Sequence, residues 1–213
     1  MTTDELIAAL AGRAVPVRRL RAPAVRAAAW SAVALAAGAV GVVVFGARSD
    51  IGARVAHADF AWTLVVALAT SIAASLAALT LAVPGAERSP ALRSLAVALV
   101  ATWAVGLGVP ATNEGTNVLD DTHWPVCFLR VVLVGFVPAV LLVRMVRAAA
   151  PLRPVWTGLL SAGAAMAVGA MAVQIACPLD AASHALIGHF APVVAAGGAG
   201  AIAGSRWITR HSD

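Results

Sequence analysis

The sequence predicts an all-α polytopic membrane protein with six transmembrane helices and both termini in the cytoplasm. Three observations lead to this prediction. First, the 213-residue chain is 61% hydrophobic and only 12% charged, whereas roughly 25% of the residues of a soluble domain are charged. Second, it contains six apolar stretches of roughly the 20 residues that a helix needs to cross a bilayer. Third, its basic residues are all arginine and concentrate in alternate loops.

The six apolar stretches are separated by loops too short to form a further domain. They lie at residues 27–46, 61–83, 94–112, 126–146, 155–176 and 185–204. The chain therefore divides into an N-terminal arm (1–26), a six-helix transmembrane domain (27–206) and a short tail (207–213). The arm does not fit a signal peptide, because "MTTDELIAAL" is acidic where a signal peptide is basic.

The distribution of arginine predicts the orientation, because cytoplasmic loops of membrane proteins are enriched in basic residues. Six spans put the arm, the second and fourth loops and the tail on one side, and Arg48, Arg54 and Arg130 on the other. The first side then holds twelve of the 15 basic residues: Arg13, Arg18, Arg19, Arg21, Arg26, Arg88, Arg93, Arg144, Arg147, Arg153, Arg206 and Arg210. We expect cytoplasmic termini and a multi-pass protein of a bacterial inner membrane. The arginines form no continuous basic face, so direct nucleic-acid binding is not expected.

The arm is predicted to begin with a short amphipathic helix. Its "TTDE" segment fits a capping box, in which Thr2 caps the helix and Glu5 reaches back to it. Acidic residues in the first turn also suit the positive end of the helix dipole. Leu6, Ile7 and Leu10 then fall on one face of the helix.

Two interpretations of the arm remain open. Its arginines could rest on anionic lipid. Alternatively, because an isolated helix of about ten residues is only marginally stable, the arm could fold against a groove on a partner protein. Under the second interpretation the candidate binding residues are Asp4, Glu5, Leu6, Ile7, Leu10, Arg18 and Arg19.

Both cysteines are predicted at the outer end of the helix bundle. Cys127 lies at the start of the fourth span and Cys177 at the end of the fifth, on the side where a thiol pair can be oxidised. Three interpretations compete. The two could form a structural disulfide, act as a thiol sensor that is oxidised or metal-bound under stress, or be unrelated buried residues that behave as small hydrophobes.

Polar residues near the cysteines raise the possibility of a metal site. His123, Asp180 and His184 could complete a mixed sulfur, nitrogen and oxygen ligand set for a transition or heavy metal ion at the cysteine pair. The sequence has no CxxC or HxxxH spacing, so this signal is weak. No other cofactor is predicted.

Two ionisable residues and one glycine pair lie inside predicted spans. Because ionisable groups are costly at membrane depth, Arg130 is expected to reach outward to Asp120 or Asp121, and His189 to be paired or functional. Gly200 and Gly204 form a pair of small residues four apart, which could pack within the bundle or mediate a homo-oligomer.

Four segments, in this order and spacing, resemble the NrsF-type family of bacterial six-helix membrane anti-sigma factors. They are "TTDELIAALAGRAVPVRRLR", "HWPVC" before the fourth span, "APLRPVWTGLLSAGAAM", and "CPLD" after the fifth. The resemblance implies that the protein holds an extracytoplasmic-function sigma factor at the membrane, away from RNA polymerase. Periplasmic metal or oxidative stress would release the sigma factor through the cysteine pair.

Carried onto this chain, the resemblance makes Cys127 and Cys177 the sensing pair and the region around Asp4–Arg21 the sigma-binding arm. One departure concerns Asp180. Family members often follow the second cysteine with "PE", whereas this chain has "PLD". The acidic side chain is displaced by one position, which puts a ligand role for Asp180 in doubt.

The main alternative is a membrane redox or metal-binding protein with thiol or haem chemistry and no sigma factor partner. A thiol oxidoreductase usually carries CxxC, and a b-type cytochrome needs histidine pairs within its spans, where only His189 lies. A transporter would need more polar groups at mid-membrane. We therefore do not predict an enzyme.

Overall fold

The computed structural model describes residues 2–12, 20–83, 85, 90–114, 121–149 and 151–208. The predicted arm residues Arg18 and Arg19 lie outside these ranges, as does Asp120, one of the two predicted partners of Arg130. Every structural statement below concerns the described residues.

The described residues form helices and contain no strand. The helices are α1 (Thr3–Gly12), α2 (Pro23–Phe45), α3 (Ile51–Arg54), α4 (Ala58–Leu81), α5 (Ala91–Asn113), α6 (Trp124–Arg147), α7 (Pro154–Ala176), α8 (Ala182–His184), a π-helical turn (Ala185–Phe190) and α9 (Ala191–Ile208). The all-α class is therefore confirmed.

Six helices are long and apolar enough to cross a membrane. They are α2, α4, α5, α6, α7, and a sixth formed by α8, the π-helical turn and α9 over Ala182–Arg206. Each begins one to four residues before its predicted start. In three of them a proline lies in the first turn, where its missing N–H is not needed: Pro23, Pro125 and Pro154. The side of the membrane that the termini face stays a prediction.

Helix α7 lies at the centre of the bundle, in contact with α2, α4, α6 and α9. Between Ser161 and Val173 it carries only serine, alanine, glycine, valine and methionine. Small side chains let helix backbones approach closely. The contact with α6 shows this directly, because a Cβ atom on Gly169 would collide with the backbone carbonyl of Val131.

The glycine pair of α9 packs against α7. A Cβ atom on Gly200 would collide with the carbonyl of Gly158, and one on Gly204 with the carbonyl of Pro154. The sequence left open whether this pair packs within the bundle or mediates a homo-oligomer, and the structure shows that it packs within the bundle.

The two ends of the bundle differ in their contacts. We call one end of the bundle the cysteine end. There α2 ends at Phe45, α7 ends at Ala176 and α6 begins at Trp124. There the backbone N–H of Arg48 donates to the carbonyl of Ile175 over 3.1 Å. At the opposite end the guanidinium of Arg26 donates to the carbonyl of Met145, which ties the first turns of α2 to the last turn of α6.

Replacing Gly200 by alanine should loosen the α7–α9 contact. The added methyl group meets a rigid backbone carbonyl, so the helices must separate, at a cost of about 1–3 kcal/mol. Gly198→Ala is the matched control, because a Cβ atom there meets nothing within 4 Å and alanine favours the helix by up to ~1 kcal/mol. Thermal unfolding in mild detergent should show a lower midpoint for Gly200→Ala alone. Equal midpoints for the two variants would contradict this packing.

Candidate functional site

The two cysteines meet at the cysteine end of the bundle. Cys127 lies in the first turn of α6, and Cys177 directly follows α7. Both thiols are free and buried. The Cys127 thiol donates to the sulfur of Cys177, with the two Sγ atoms 3.7 Å apart. The arrangement suits either joint oxidation or joint coordination of an ion.

A π-helical turn brings two histidines to the same place. In an α-helix, residues five apart point about 140° away from each other. The i→i+5 hydrogen bonds of a π-helix stack such residues instead. His184 precedes the π-helical turn and His189 lies in its last part. Their rings are 5.2 Å apart, edge to face.

Each imidazole is held through its Nδ1 atom. His184 Nδ1–H donates to the carboxylate of Asp121, and its Nε2 lies 3.4 Å from the sulfur of Cys177. His189 Nδ1–H donates to Oε1 of Gln174 over 2.6 Å. We assign these protons from the acceptors that the rings face. The Nε2 atom of His189 is buried and has no hydrogen-bond partner within the described residues.

Together these four side chains form a buried cluster, which we call the Cys2His2 cluster: Cys127, Cys177, His184 and His189. One ligand atom from each lies within 4.8 Å of the others. Gly188 makes room for it, since a Cβ atom there would stand 3.3 Å from Cys127 and 3.4 Å from Nε2 of His184.

One group of the cluster, Cys177, and one beside it, Asp121, have shifted pKa values. The hydrogen bond from the Cys127 thiol lowers the pKa of Cys177, against the opposing effect of burial. Cys177 is thus the more acidic thiol of the pair. Burial acts to raise the pKa of Asp121, but hydrogen bonds from His184 and from the backbone N–H of His123 outweigh it and lower that pKa.

The chain that follows Cys177 is clamped by a buried arginine. Arg48 donates to Asp50 over 2.6 Å and to Asp180 over 2.7 Å, and also to the carbonyl of Cys177 over 3.1 Å. Arg54 lies 3.1 Å from the same Asp180 carboxylate. Hydrogen bonds to the two carboxylates raise the pKa of Arg48 and keep it charged. The clamp fixes the position of Cys177 relative to the end of α2.

Glu114, just beyond α5, holds the start of α8. Its carboxylate accepts the backbone N–H groups of Ala182 over 2.6 Å and of Ser183 over 3.0 Å. Free N–H groups at the start of a helix need such acceptors. Burial acts to raise the pKa of Glu114, but these bonds lower it overall. The segment that precedes His184 is therefore anchored to α5.

The structure places one of the three predicted metal ligands in the cluster. His184 belongs to the cluster. Asp180 does not, because Arg48 and Arg54 occupy its carboxylate. His123 does not either, because its side chain is 73% exposed and lies beside Asp121, outside the buried cluster.

The prediction for Arg130 also fails where the structure tests it. Its guanidinium lies over the ring of Phe45, 5.0 Å from the ring centroid, while Asp121 bonds the two histidines His184 and His123. The cation is accommodated by an aromatic face of α2.

His189 was noted as a buried ionisable group but was not predicted as a ligand. A sequence read with a period of 3.6 residues places it on a different face from His184. Gln174 was not among the predicted site residues. Gln174 lies three residues before Cys177, on the turn of α7 that precedes the thiol. This spacing could have identified it.

A cavity of about 510 Å³ opens between α4, α5 and the 180–185 segment. Its lining includes the side chains of Asp59, Glu114, Asp180 and Arg54. It also reaches Gln174, which holds His189 in the cluster. The cavity therefore extends at the cysteine end as far as the side chain that holds His189.

The arm helix α1 matches its predicted start. The backbone N–H of Thr2 donates to Glu5 over 2.7 Å, and that of Glu5 donates to the Thr2 hydroxyl over 3.3 Å, which confirms the capping box. No residue of α1 is buried. The exposed fractions of the three apolar residues on its face range from 42% to 62%: Leu6, Ile7 and Leu10.

The comparisons with known proteins give one match. The family model NrsF, described as negative regulator of sigma F, matches residues 10–209, which is nearly the whole chain. No curated protein and no solved structure matches.

Mild oxidation should join the two cysteines within one chain. Diamide takes two electrons and two protons from the pair and becomes the hydrazine, and a disulfide forms between Cys127 and Cys177. We expect the intact mass to fall by two hydrogens and both thiols to become unreactive, with no dimer on a non-reducing gel. Cys127→Ser is the control, because the thiol that remains, Cys177, has no partner within the chain and should not be lost to an intramolecular disulfide. Disulfide-linked dimers of the wild-type protein as the main product would contradict the 3.7 Å geometry.

Proposed function

The chain belongs to the NrsF family of negative regulators of sigma F, and from this premise we propose that it is a membrane-embedded anti-sigma factor. The arm binds an extracytoplasmic-function sigma factor and keeps it from RNA polymerase. The cysteine pair senses metal or oxidative stress and triggers release. The observation that carries this proposal is the family match, together with a buried thiol pair at one end of a six-helix bundle.

The properties of α1 support a binding role for the arm. Leu6, Ile7 and Leu10 form an exposed apolar face on a helix of ten residues. Such a helix gains stability when that face enters a groove on a partner. The family match begins at residue 10, so most of α1 precedes it, and the role of this face rests on its own chemistry. We assign the sigma factor as its occupant because the family regulates one.

The arginine distribution supports a cytoplasmic arm. Among the described arginines, Arg48, Arg54 and Arg130 lie at the cysteine end. The others lie in the arm or at the opposite end: Arg21, Arg26, Arg93, Arg144, Arg147, Arg153 and Arg206. By the positive-inside rule, the arm then shares a compartment with the sigma factor, and the cysteine pair faces the periplasm.

The acidity of Cys177 supports a sensing role for the pair. A thiolate attacks a peroxide oxygen, releases hydroxide or alkoxide, and becomes a sulfenic acid. The Cys127 thiol then displaces water from that sulfur and forms the disulfide. In sum, two thiols and one peroxide give one disulfide and two hydroxyl products, so the peroxide accepts both electrons.

Helix α6 offers a route from the cysteine pair to the arm. It carries Cys127 at one end and Met145 at the other, and the carbonyl of Met145 accepts a hydrogen bond from Arg26. Arg26, the last residue of the arm, lies in the first turn of α2. A thiol-dependent shift of α6 would therefore reach the base of the arm, provided that the bundle has two arrangements.

Sigma factor binding should depend on the apolar face of α1. Leu10→Asp places a charge where an apolar contact is expected, whereas Ala8→Asp adds the same charge on the opposite face of the exposed helix. We expect an extracytoplasmic-function sigma factor to co-purify with the tagged wild-type protein and with Ala8→Asp. Recovery with Leu10→Asp, or after deletion of residues 2–12, should fall at least tenfold. Mass spectrometry of the detergent-solubilised complexes measures this.

The absence of any sigma factor from the wild-type sample would reject the anti-sigma function. It would favour the alternative, a membrane redox or metal-binding protein without a sigma factor partner.

Release of the sigma factor should require both thiols. When the purified complex is treated with hydrogen peroxide or Cd²⁺, we expect the wild-type protein to release its partner. The double variant Cys127→Ser, Cys177→Ser should retain the partner under the same treatment and bind it normally before treatment. Retained sigma factor on immobilised protein is the measurement. Equal release from both proteins would show that the trigger lies elsewhere.

A further inference from the structure

We propose that Cys127, Cys177, His184 and His189 form a tetrahedral site for a divalent d¹⁰ cation, Zn²⁺ or Cd²⁺. Asp121 and Gln174 act as positioning residues for the two imidazoles. The inference deepens the sensing role proposed above, because it names the ligand and the complete ligand set. The binding of the ion itself does not require a sigma factor.

The distances between the ligand atoms fit one central ion. Tetrahedral coordination with Zn–S about 2.3 Å and Zn–N about 2.0–2.1 Å puts the two sulfurs about 3.8 Å apart and a sulfur and a nitrogen about 3.6 Å apart. The two Sγ atoms are 3.7 Å apart, and Sγ of Cys177 is 3.4 Å from Nε2 of His184. All four ligand atoms lie within 4.8 Å of one another.

The surroundings of the histidines also fit a metal site. Imidazoles that bind a metal usually donate their second N–H to a carboxylate or carbonyl oxygen, which fixes the tautomer and the ring orientation. Asp121 serves His184 in this way, and Gln174 serves His189. In both rings the lone pair of Nε2 is thereby left free to bind a metal ion.

The unpaired Nε2 atom of His189 is an independent pointer to a ligand. His189 is only 1% exposed, and this atom has no hydrogen-bond partner within the described residues. A buried polar atom without a partner is costly. A metal ion bound at this atom would remove that cost.

The chemistry of the four groups selects the ion. Two thiolates and two neutral imidazoles suit Zn²⁺ and Cd²⁺, whereas Mg²⁺ and Ca²⁺ prefer oxygen ligands. The ion replaces the two thiol protons, which leave as the bonds to sulfur form, so the charge inside the site is balanced.

The test is a metal titration of the reduced, full-length protein in detergent, with no sigma factor present. Co²⁺ serves as the spectroscopic substitute for Zn²⁺. We expect one Co²⁺ per chain, with the intense visible bands of tetrahedral cobalt and thiolate-to-cobalt charge transfer. Stoichiometric Zn²⁺ or Cd²⁺ should displace the Co²⁺, and Mg²⁺ should not. A six-coordinate cobalt spectrum, or no thiolate charge transfer, would overturn the proposal from the wild-type protein alone.

Variants then test each part of the ligand set. His184→Ala and His189→Ala should each weaken binding at least 100-fold, whereas His57→Ala, an exposed histidine at the same end, should bind as the wild type does. Gln174→Leu should weaken binding about 10–100-fold and Gln174→Glu should restore it, because the glutamate keeps the acceptor oxygen. Undiminished binding by His189→Ala would leave at most the two thiols and His184 as ligands and overturn the four-ligand proposal.

The metal site and the anti-sigma function can be rejected independently of each other. If the protein binds no Zn²⁺ or Cd²⁺ but its arm still captures a sigma factor, only the metal site is rejected. If it binds the ion through all four ligands but no sigma factor is recovered, only the anti-sigma function is rejected.

Discussion

Close packing around α7 sets the position of every group in the candidate site. Within a bilayer, association of helices depends on packing rather than on the expulsion of water. Small residues between Ser161 and Val173 let α4, α6 and α9 approach the backbone of α7. Because α7 is held on several sides, its C-terminal end is a fixed point, from which Gln174 and Cys177 project towards α6 and the π-helical turn.

The polar groups at that end are stable there because nearly all of them are paired. Arg48 is buried yet satisfied by two carboxylates and a carbonyl, and each histidine is bonded through Nδ1. In the low-dielectric interior of a protein, a hydrogen-bond network whose groups are all paired is rigid, and a polar group without a partner is costly. The network therefore holds the loop after Cys177 firmly, while Nε2 of His189 and the two thiols keep unused bonding capacity.

The sequence predicted the parts of this structure that depend on local pattern. Long apolar runs mark the six helices, and the capping box at Thr2 and Glu5 depends on residues three apart. The composition of the cluster was not predictable in the same way. Asp180 was a reasonable ligand candidate until Arg48, 132 residues away along the chain, was seen to bind it. His189 faces His184 only because of a π-helical turn, which residue spacing does not reveal.

The contact between α6 and α7 determines how a change at the cysteines can be transmitted. Near mid-helix the two backbones already touch: Gly169 lies against the carbonyl of Val131, and a Cβ atom on Gly135 would stand 2.6 Å from the Met166 side chain. A disulfide would draw Cys127 and Cys177 closer together at one end. Because packed helices do not compress, α6 would have to pivot or slide about the mid-helix contact. Either motion displaces its far end, where the carbonyl of Met145 holds Arg26 at the base of the arm.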